Sequence, residues 1–332
     1  MTEANHSKDL ADAVKLIQSA RRIAIASHIS PDSDAIGSTT GLGIALSGID
    51  KQVVLLSADP VPENLRFLPA SDQVTNSVPP DFEVELLIAL DSSDGERLGE
   101  KFQPLLDGSL PVVNFDHHIT NENYGTVNLV YGDCPATAEA LLVLLDALSI
   151  DLTPDIATCL MAGLVGDTRG FGVEAVGPDT FLAAARLQAQ CIDLPGIVSS
   201  VLHWRTVDIL RLWGVGLAVL HFEDGILWTA LRADRMRELD LANVGKPELS
   251  SLLITAQEAD IAVVFTEKHD GKVDISFRAK PGFDVSNVAA DLGGGGHRLA
   301  AGCLVDNPLD ETIKMVVELL RQHNPDLSGS KV

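Results

Sequence analysis

Three short segments gather side chains able to hold hard metal ions and move protons. His28, Asp32 and Asp34 lie in SHISPDSDAIGS (27–38), Asp91 opens DSSDGERLG (91–99), and Asp116, His117 and His118 are consecutive in NFDHHITN (114–121). Carboxylates and imidazoles with no thiol beside them suit Mn²⁺, Mg²⁺ or Fe²⁺ better than a structural zinc. Two such ions about 3.5–4 Å apart can share a hydroxide, lower its pKa and steady the attacking and leaving oxygens. Phosphoryl transfer asks mainly for positioning and charge neutralisation, which a site of this kind provides. Spacing alone does not divide the ligands between two ions, but a carboxylate ending a central strand, such as Asp91, could bridge them.

A set so scattered in sequence needs a scaffold that delivers it to one edge. Apolar runs at 22–27, 53–58, 85–90 and 111–115 read as strands buried on both faces of a parallel sheet. Helical segments are expected at about 35–47, 137–149, 154–165 and 178–190, so the N-terminal half predicts an open α/β sheet with flanking helices. In such sheets ligands bind beyond the carboxyl ends of the strands. The first run leads into His28, Asp32 and Asp34, the third into Asp91, and the fourth into Asp116, His117 and His118. One aspartate after a strand is ordinary turn chemistry. Three strands delivering ligands to the same edge form a site.

Composition narrows the function further. At 332 residues with 46% hydrophobic content, the chain has ample material for two globular domains. A formal net charge of −23 argues against a processive nuclease on long nucleic acid, because phosphate neutralisation by cations supplies most of that affinity. A short phosphorylated substrate gripped by metals and a few local cations remains compatible. No apolar run reaches the length of about 18–20 residues needed to cross a bilayer, and the N-terminal MTEANHSKDL lacks a signal-peptide pattern. Cys134, Cys159, Cys191 and Cys303 are widely spaced and read as small buried hydrophobes in a reducing, cytoplasmic setting.

Together with ALDSSDGERLG (89–99) and GLVGDTRGF (163–171), the first and third segments resemble the four successive motifs of the DHH phosphoesterase superfamily, in order. The resemblance implies one ion on His28, Asp32 and Asp91, and another on Asp34, Asp91, His117 and Asp167, with Asp91 bridging. The ions it implies are two divalent cations, with Mn²⁺ favoured. His118 matches the histidine that contacts phosphate and helps protonate the leaving group, and Asp116 matches a carboxylate that orients a neighbouring histidine. Asp167 is implied only by the resemblance; by itself it reads as a helix-terminal turn residue. Ser33 stands where close relatives often carry glycine, which asks whether that backbone needs a positive φ; serine is expected to be tolerated.

The C-terminal half reads as a second, smaller α/β unit. Strands are expected at 217–222, 226–231, 261–267 and 272–280, with helices at about 246–258 and 284–292 and hairpin turns at Glu-Asp-Gly and His-Asp-Gly. GGGGH (293–297) lets backbone N–H groups come close to a phosphate or base. Within SFRAKPGFDVSNVAADLGGGGHRLAAG (276–302) it resembles the DHH-associated domain, which implies substrate contacts from Arg278, Gly295, Gly296 and His297 across an interdomain cleft. Lys280 and Arg298 are weaker candidates. The expected layout is a catalytic domain over 10–190, a linker over 191–207 and a substrate domain over 208–325.

This compact arrangement resembles the branch of the superfamily that trims very short oligoribonucleotides to mononucleotides and dephosphorylates 3′-phosphoadenosine 5′-phosphate (pAp). Short oligonucleotides, pAp or dinucleotides are the implied substrates, without long nucleic acid or membrane, and a homodimer is compatible with the family. A cyclic or linear dinucleotide phosphodiesterase is the enzymatic alternative. A non-catalytic nucleotide sensor is the alternative of another class. It would be expected to have lost a ligand, yet every ligand position carries Asp or His.

Overall fold

The computed structural model describes residues 3–242, 244 and 248–327. Two compact units emerge, Met1–Trp204 and Arg205–Val332, described separately below. In the first, the elements are α1 (Glu3–Ser19), β1 (Arg22–Ser27), α2 (Ser33–Ser47), β2 (Gln52–Leu56), β3 (Val74–Thr75), β4 (Leu86–Leu90), β5 (Val112–Asp116) and β6 (Val127–Val130), followed by α3 (Thr137–Ala147), α4 (Pro154–Asp167), α5 (Pro178–Gln188) and α6 (Leu194–Val198).

The strands form one parallel sheet in the order β3-β2-β1-β4-β5-β6. Alternate residues explain the unbroken apolar runs. Ile23, Ile25, Leu86, Ile88, Leu90, Val113 and Phe115 enter the core shared with α2, α3 and α4. Ala24, Ala26, Leu87, Ala89 and Val112 face the other layer, where Leu98 and Phe102 come from short 3₁₀ turns. Full burial of a side chain such as Phe102 contributes about 1.5–3 kcal/mol.

α2 and α4 pack with very little room between them. A Cβ at Gly37 would meet the Cys159 carbonyl oxygen at 2.4 Å, so only glycine admits that approach. Ser33 is the first residue of α2, and its φ is not positive. The serine is therefore accommodated without backbone strain.

The sequence reading and the structure part at several places. β3 and β6 are short strands at the two sheet edges, and α1 precedes β1; none of them stood out as an apolar run. The segment expected as a loose linker is helical over Leu194–Val198 and forms a π-helical turn over Ser199–His203.

The second unit contains α7 (Val207–Leu217), β7 (His221–Glu223), β8 (Ile226–Leu231), α8 (Ala233–Glu238), α9 (Leu249–Leu253), β9 (Ile261–Glu267), β10 (Val273–Ala279), α10 (Ser286–Asp291), β11 (Gly295–His297), β12 (Ala300–Val305) and α11 (Leu309–His323). Its sheet runs β11-β12-β10-β9-β8-β7, with β8 and β9 parallel and the other pairs antiparallel. The strand expected at 217–222 is a correction: α7 extends to Leu217, and only His221–Glu223 pairs. Asp224 and Gly225 both take positive φ, as a two-residue hairpin between β7 and β8 requires. The helix expected over 246–258 is observed as Leu249–Leu253, and its first two expected residues lie outside the described ones.

Candidate metal centre

Each strand end places its side chains through a distinct local device. Asp32 caps α2 through Oδ1, accepting from the backbone N–H groups of Asp34 (3.0 Å) and Ala35 (3.1 Å). Its Oδ2 then lies 3.8 Å from His28 Nε2. His28 pairs Nδ1 with the Ile29 carbonyl at 2.7 Å, which makes Nδ1 the protonated nitrogen and leaves the Nε2 lone pair for the site. His117 follows the same pattern, with Nδ1 3.3 Å from the Cys134 carbonyl.

Asp91 lies at the centre, buried, just past β4, and in the left-handed region at φ 54°. Its two oxygens face different partners. Oδ2 is 3.4 Å from His28 Nε2, whereas Oδ1 is 3.5 Å from His117 Nε2 and 3.7 Å from His118 Nδ1. Asp167, the last residue of α4, brings Oδ2 to 3.2 Å from His117 Nε2. His117 Nε2 is nevertheless a buried nitrogen without a hydrogen bond, flanked by two carboxylates. That is the environment a cation completes.

Three groups have ligand atoms within 4.8 Å of one another: His28, Asp32 and Asp91; Asp34, His117 and Asp167; and Asp91, His117 and His118. Any of them could hold a metal ion, and the donors are hard oxygens and imidazole nitrogens.

The electrostatics show how strongly the site resists being empty of positive charge. Burial pushes the His28 pKa down, but the Asp91 and Asp32 carboxylates outweigh it and raise it to about 9. His117 is likewise opposed by burial, yet Asp167, Asp91 and Asp34 lift it to about 12. Burial raises Asp34 well above the usual carboxylate range, reinforced by the charges of Asp91 and Asp167. Asp167 rises to about 6 through burial and the neighbouring Asp32 and Asp91 charges, with His117 opposing. In Asp91 burial is overcome by the His117 and His28 imidazoles that face its two oxygens, and its pKa falls below the ordinary value. Cations would take over the role of those protons.

A second layer of polar contacts fixes His118. Asp116 is fully buried and accepts from His118 Nδ1 at 2.7 Å, from the His117 backbone N–H at 2.8 Å and from Asn121 Nδ2 at 2.6 Å. Asn121 Nδ2 also reaches the Ser92 carbonyl (3.1 Å), and Asn114 Nδ2 donates to Asn121 Oδ1 (2.7 Å) and Asn128 Oδ1 (3.0 Å). Asn121 and Thr137 had not been singled out from the sequence. Asn121 closes NFDHHITN, where its type and place could have flagged it.

The remaining candidates belong to the second unit. Arg278 on β10 and His297 on β11 both pair with Ala300, so the two sit level on either side of it. Arg278 also bonds Ser251 Oγ (3.2 Å) and the Phe277 carbonyl (2.9 Å). Gly295 and Gly296 lie in strand β11 rather than in a free loop. A Cβ at Gly296 would meet Ala301 Cα at 2.5 Å, whereas one at Gly295 would meet nothing within 4 Å. Lys280 Nζ is committed to the Ala256 and Gln257 carbonyls, and Arg298 pairs with Asp284.

A model of the DHH family N-terminal domain matches residues 22–164, and one of the DHHA1 domain matches 243–322. The bifunctional oligoribonuclease and PAP phosphatase NrnA of Thermus thermophilus is 34% identical over 308 residues, 90% of this chain and 89% of that protein. The cyclic-di-AMP phosphodiesterase PdeA of Listeria monocytogenes is 25% identical over 335 residues, 92% of this chain and 48% of that protein. An exopolyphosphatase-related protein from Bacteroides fragilis shares the fold at a TM-score of 0.91 and 22% identity, covering 98% of this chain and 99% of that one.

Proposed function

Because this chain belongs to the DHH family, we propose that it is a two-metal phosphoesterase that hydrolyses short oligoribonucleotides to mononucleotides and pAp to AMP. The observation that carries this reading is the division of Asp91, whose two oxygens face two separate ligand groups. His28, Asp32 and Asp91 would hold one ion, and Asp34, Asp91, His117 and Asp167 the other, with Mn²⁺ the favoured metal. Such ions supply Lewis-acid charge at the phosphoryl group.

The chain's own residues carry the proton. With Nδ1–H donated to Asp116, His118 is left with Nε2 as the nitrogen that exchanges a proton. As water oxygen adds to phosphorus and the P–O bond to the leaving group breaks, the leaving oxygen takes the proton from Nε2, and the proton that the water gives up restores it. Arg278, Gly295, Gly296 and His297 are the substrate contacts in this reading, supported by the level placement of Arg278 and His297 about Ala300. A cytoplasmic setting belongs to the same reading; among the described residues no helix is long and apolar enough to cross a membrane. The Listeria relative supports cyclic dinucleotides as a more distant alternative.

The test is Mn²⁺-dependent nucleotide release from RNAs graded from dinucleotides to about twenty residues, with pAp and a cyclic dinucleotide alongside. Preference for the shortest strands and for pAp is the expected result. Strong activity on the longest strand, or on the cyclic dinucleotide alone, would overturn the assignment.

A further inference from the structure

We propose that Thr137 is a positioning residue that holds Asp91 in its divided orientation, an inference resting on the reading of Asp91 as the ligand shared by two ions. Thr137 opens α3 and is fully buried. Its hydroxyl donates to Asp91 Oδ1 at 3.1 Å. Its backbone N–H donates to Asp34 Oδ2 at 2.6 Å, and the next N–H, of Ala138, donates to Asp34 Oδ1 at 2.9 Å. One residue therefore ties together two carboxylates from separate elements, Asp34 in the first turn of α2 and Asp91 just past β4.

The two attachments differ in kind. Asp34 is held by main-chain groups at a helix N-terminus, where the first N–H groups lack intrahelical partners. Any residue at 137 except proline keeps that hold. Asp91 is held from Thr137 by the side chain alone, whereas its own backbone, at φ 54°, is anchored separately through its N–H to the Phe115 carbonyl at 3.0 Å. The hydroxyl occupies one lone pair of Oδ1. That fixes the rotation of the carboxylate, so that Oδ1 addresses His117 while Oδ2 addresses His28. Without the hydroxyl the carboxylate can turn about its Cβ–Cγ bond, and one ligand group or the other loses its oxygen.

Thr137→Val removes the hydroxyl at nearly constant shape, and Thr137→Ser restores it. The full-length chain, stripped of metal, would be titrated with Mn²⁺ by calorimetry and by electron paramagnetic resonance of the free ion, with kcat and KM measured in parallel. Loss of a group that orients a ligand costs about 10–100-fold in metal affinity or activity. Thr137→Val should weaken Mn²⁺ binding and lower kcat within that range, with KM changed by no more than about twofold. Thr137→Ser should recover most of both. Wild-type Mn²⁺ affinity in Thr137→Val, or an equal defect in Thr137→Ser, would overturn the proposal. Should the valine variant fail to fold, Thr137→Ala against Thr137→Ser poses the same comparison. Failure of the wild-type protein to bind two Mn²⁺ would instead remove the two-ion reading beneath it, independently of any variant.

Discussion

Gly163, inside α4, links helix packing to the metal centre in a way one methyl group can test. A Cβ built there would lie 2.5 Å from Asp34 Oδ1 and 2.8 Å from Ala138 Cβ, against an ordinary contact of 3.4–4 Å. Asp34 is fully buried and bonded to two backbone N–H groups, so its carboxylate cannot retreat without giving up at least one of them. A hydrogen bond to a charged group contributes about 1.5–3 kcal/mol, and forced overpacking costs about 1–3 kcal/mol. The helix preference for alanine over glycine returns only about 0.5–1 kcal/mol. The sign is therefore decided: Gly163→Ala should destabilise the metal-free protein by about 1.5–5.5 kcal/mol and weaken Mn²⁺ binding as well. Gly214, in α7, is the control, because a Cβ there meets nothing within 4 Å. Gly214→Ala should be neutral or stabilising by up to about 1 kcal/mol. Urea denaturation followed by circular dichroism, with Mn²⁺ titration of each variant, reads both effects. Stability and Mn²⁺ affinity in Gly163→Ala equal to those of Gly214→Ala would refute the reasoning.

Two further outcomes follow from the site's charges and bonds. His28 at about 9 and Asp167 at about 6 are both raised, and each must lose its proton to act as a ligand. Metal uptake should therefore release protons, and Mn²⁺ affinity should climb from about pH 6 to beyond pH 9, because His117, raised to about 12, gives up its proton last; a binding enthalpy independent of buffer ionisation would contradict this. Asp116 accepts from three donors, so Asp116→Asn must set an amide against one of them. A kcat loss of about 10–100-fold with unchanged Mn²⁺ stoichiometry is expected, and kinetics matching wild type would dismiss the carboxylate's role.

How much of this was legible in the sequence depends on where each residue acts. Strands β1, β4 and β5 announced themselves because burial on both faces leaves no polar alternation, and their ends carried most of the site in plain order. The boundary between α7 and β7 is hidden because five of the six residues of LAVLHF are apolar, and a short apolar run does not distinguish helix from strand. Ser33 raised the question of a positive φ at the wrong residue. The left-handed residue is Asp91, and what constrains Ser33 is Gly166, where a Cβ would fall 1.7 Å from Ser33 Oγ. A pairing across 133 positions leaves no local trace.

The same holds for the two helix ends that complete the centre, and their polarity gives the reason for the arrangement. α3 points its N-terminus, the positive end of its dipole, at Asp34, a carboxyl that burial and the charges of Asp91 and Asp167 push well above the usual range. α4 ends at Asp167, presenting the negative end of its dipole together with a carboxylate beside His117. One helix thus favours an anionic ligand and the other favours the cation that ligand would bind. Neither preference is visible in a helix taken alone, because each depends on which terminus the chain brings to the strand ends. Thr137 and Asp167 look like ordinary helix-terminal residues in the sequence, and they join the candidate metal centre only because opposite ends of two helices meet the same sheet edge.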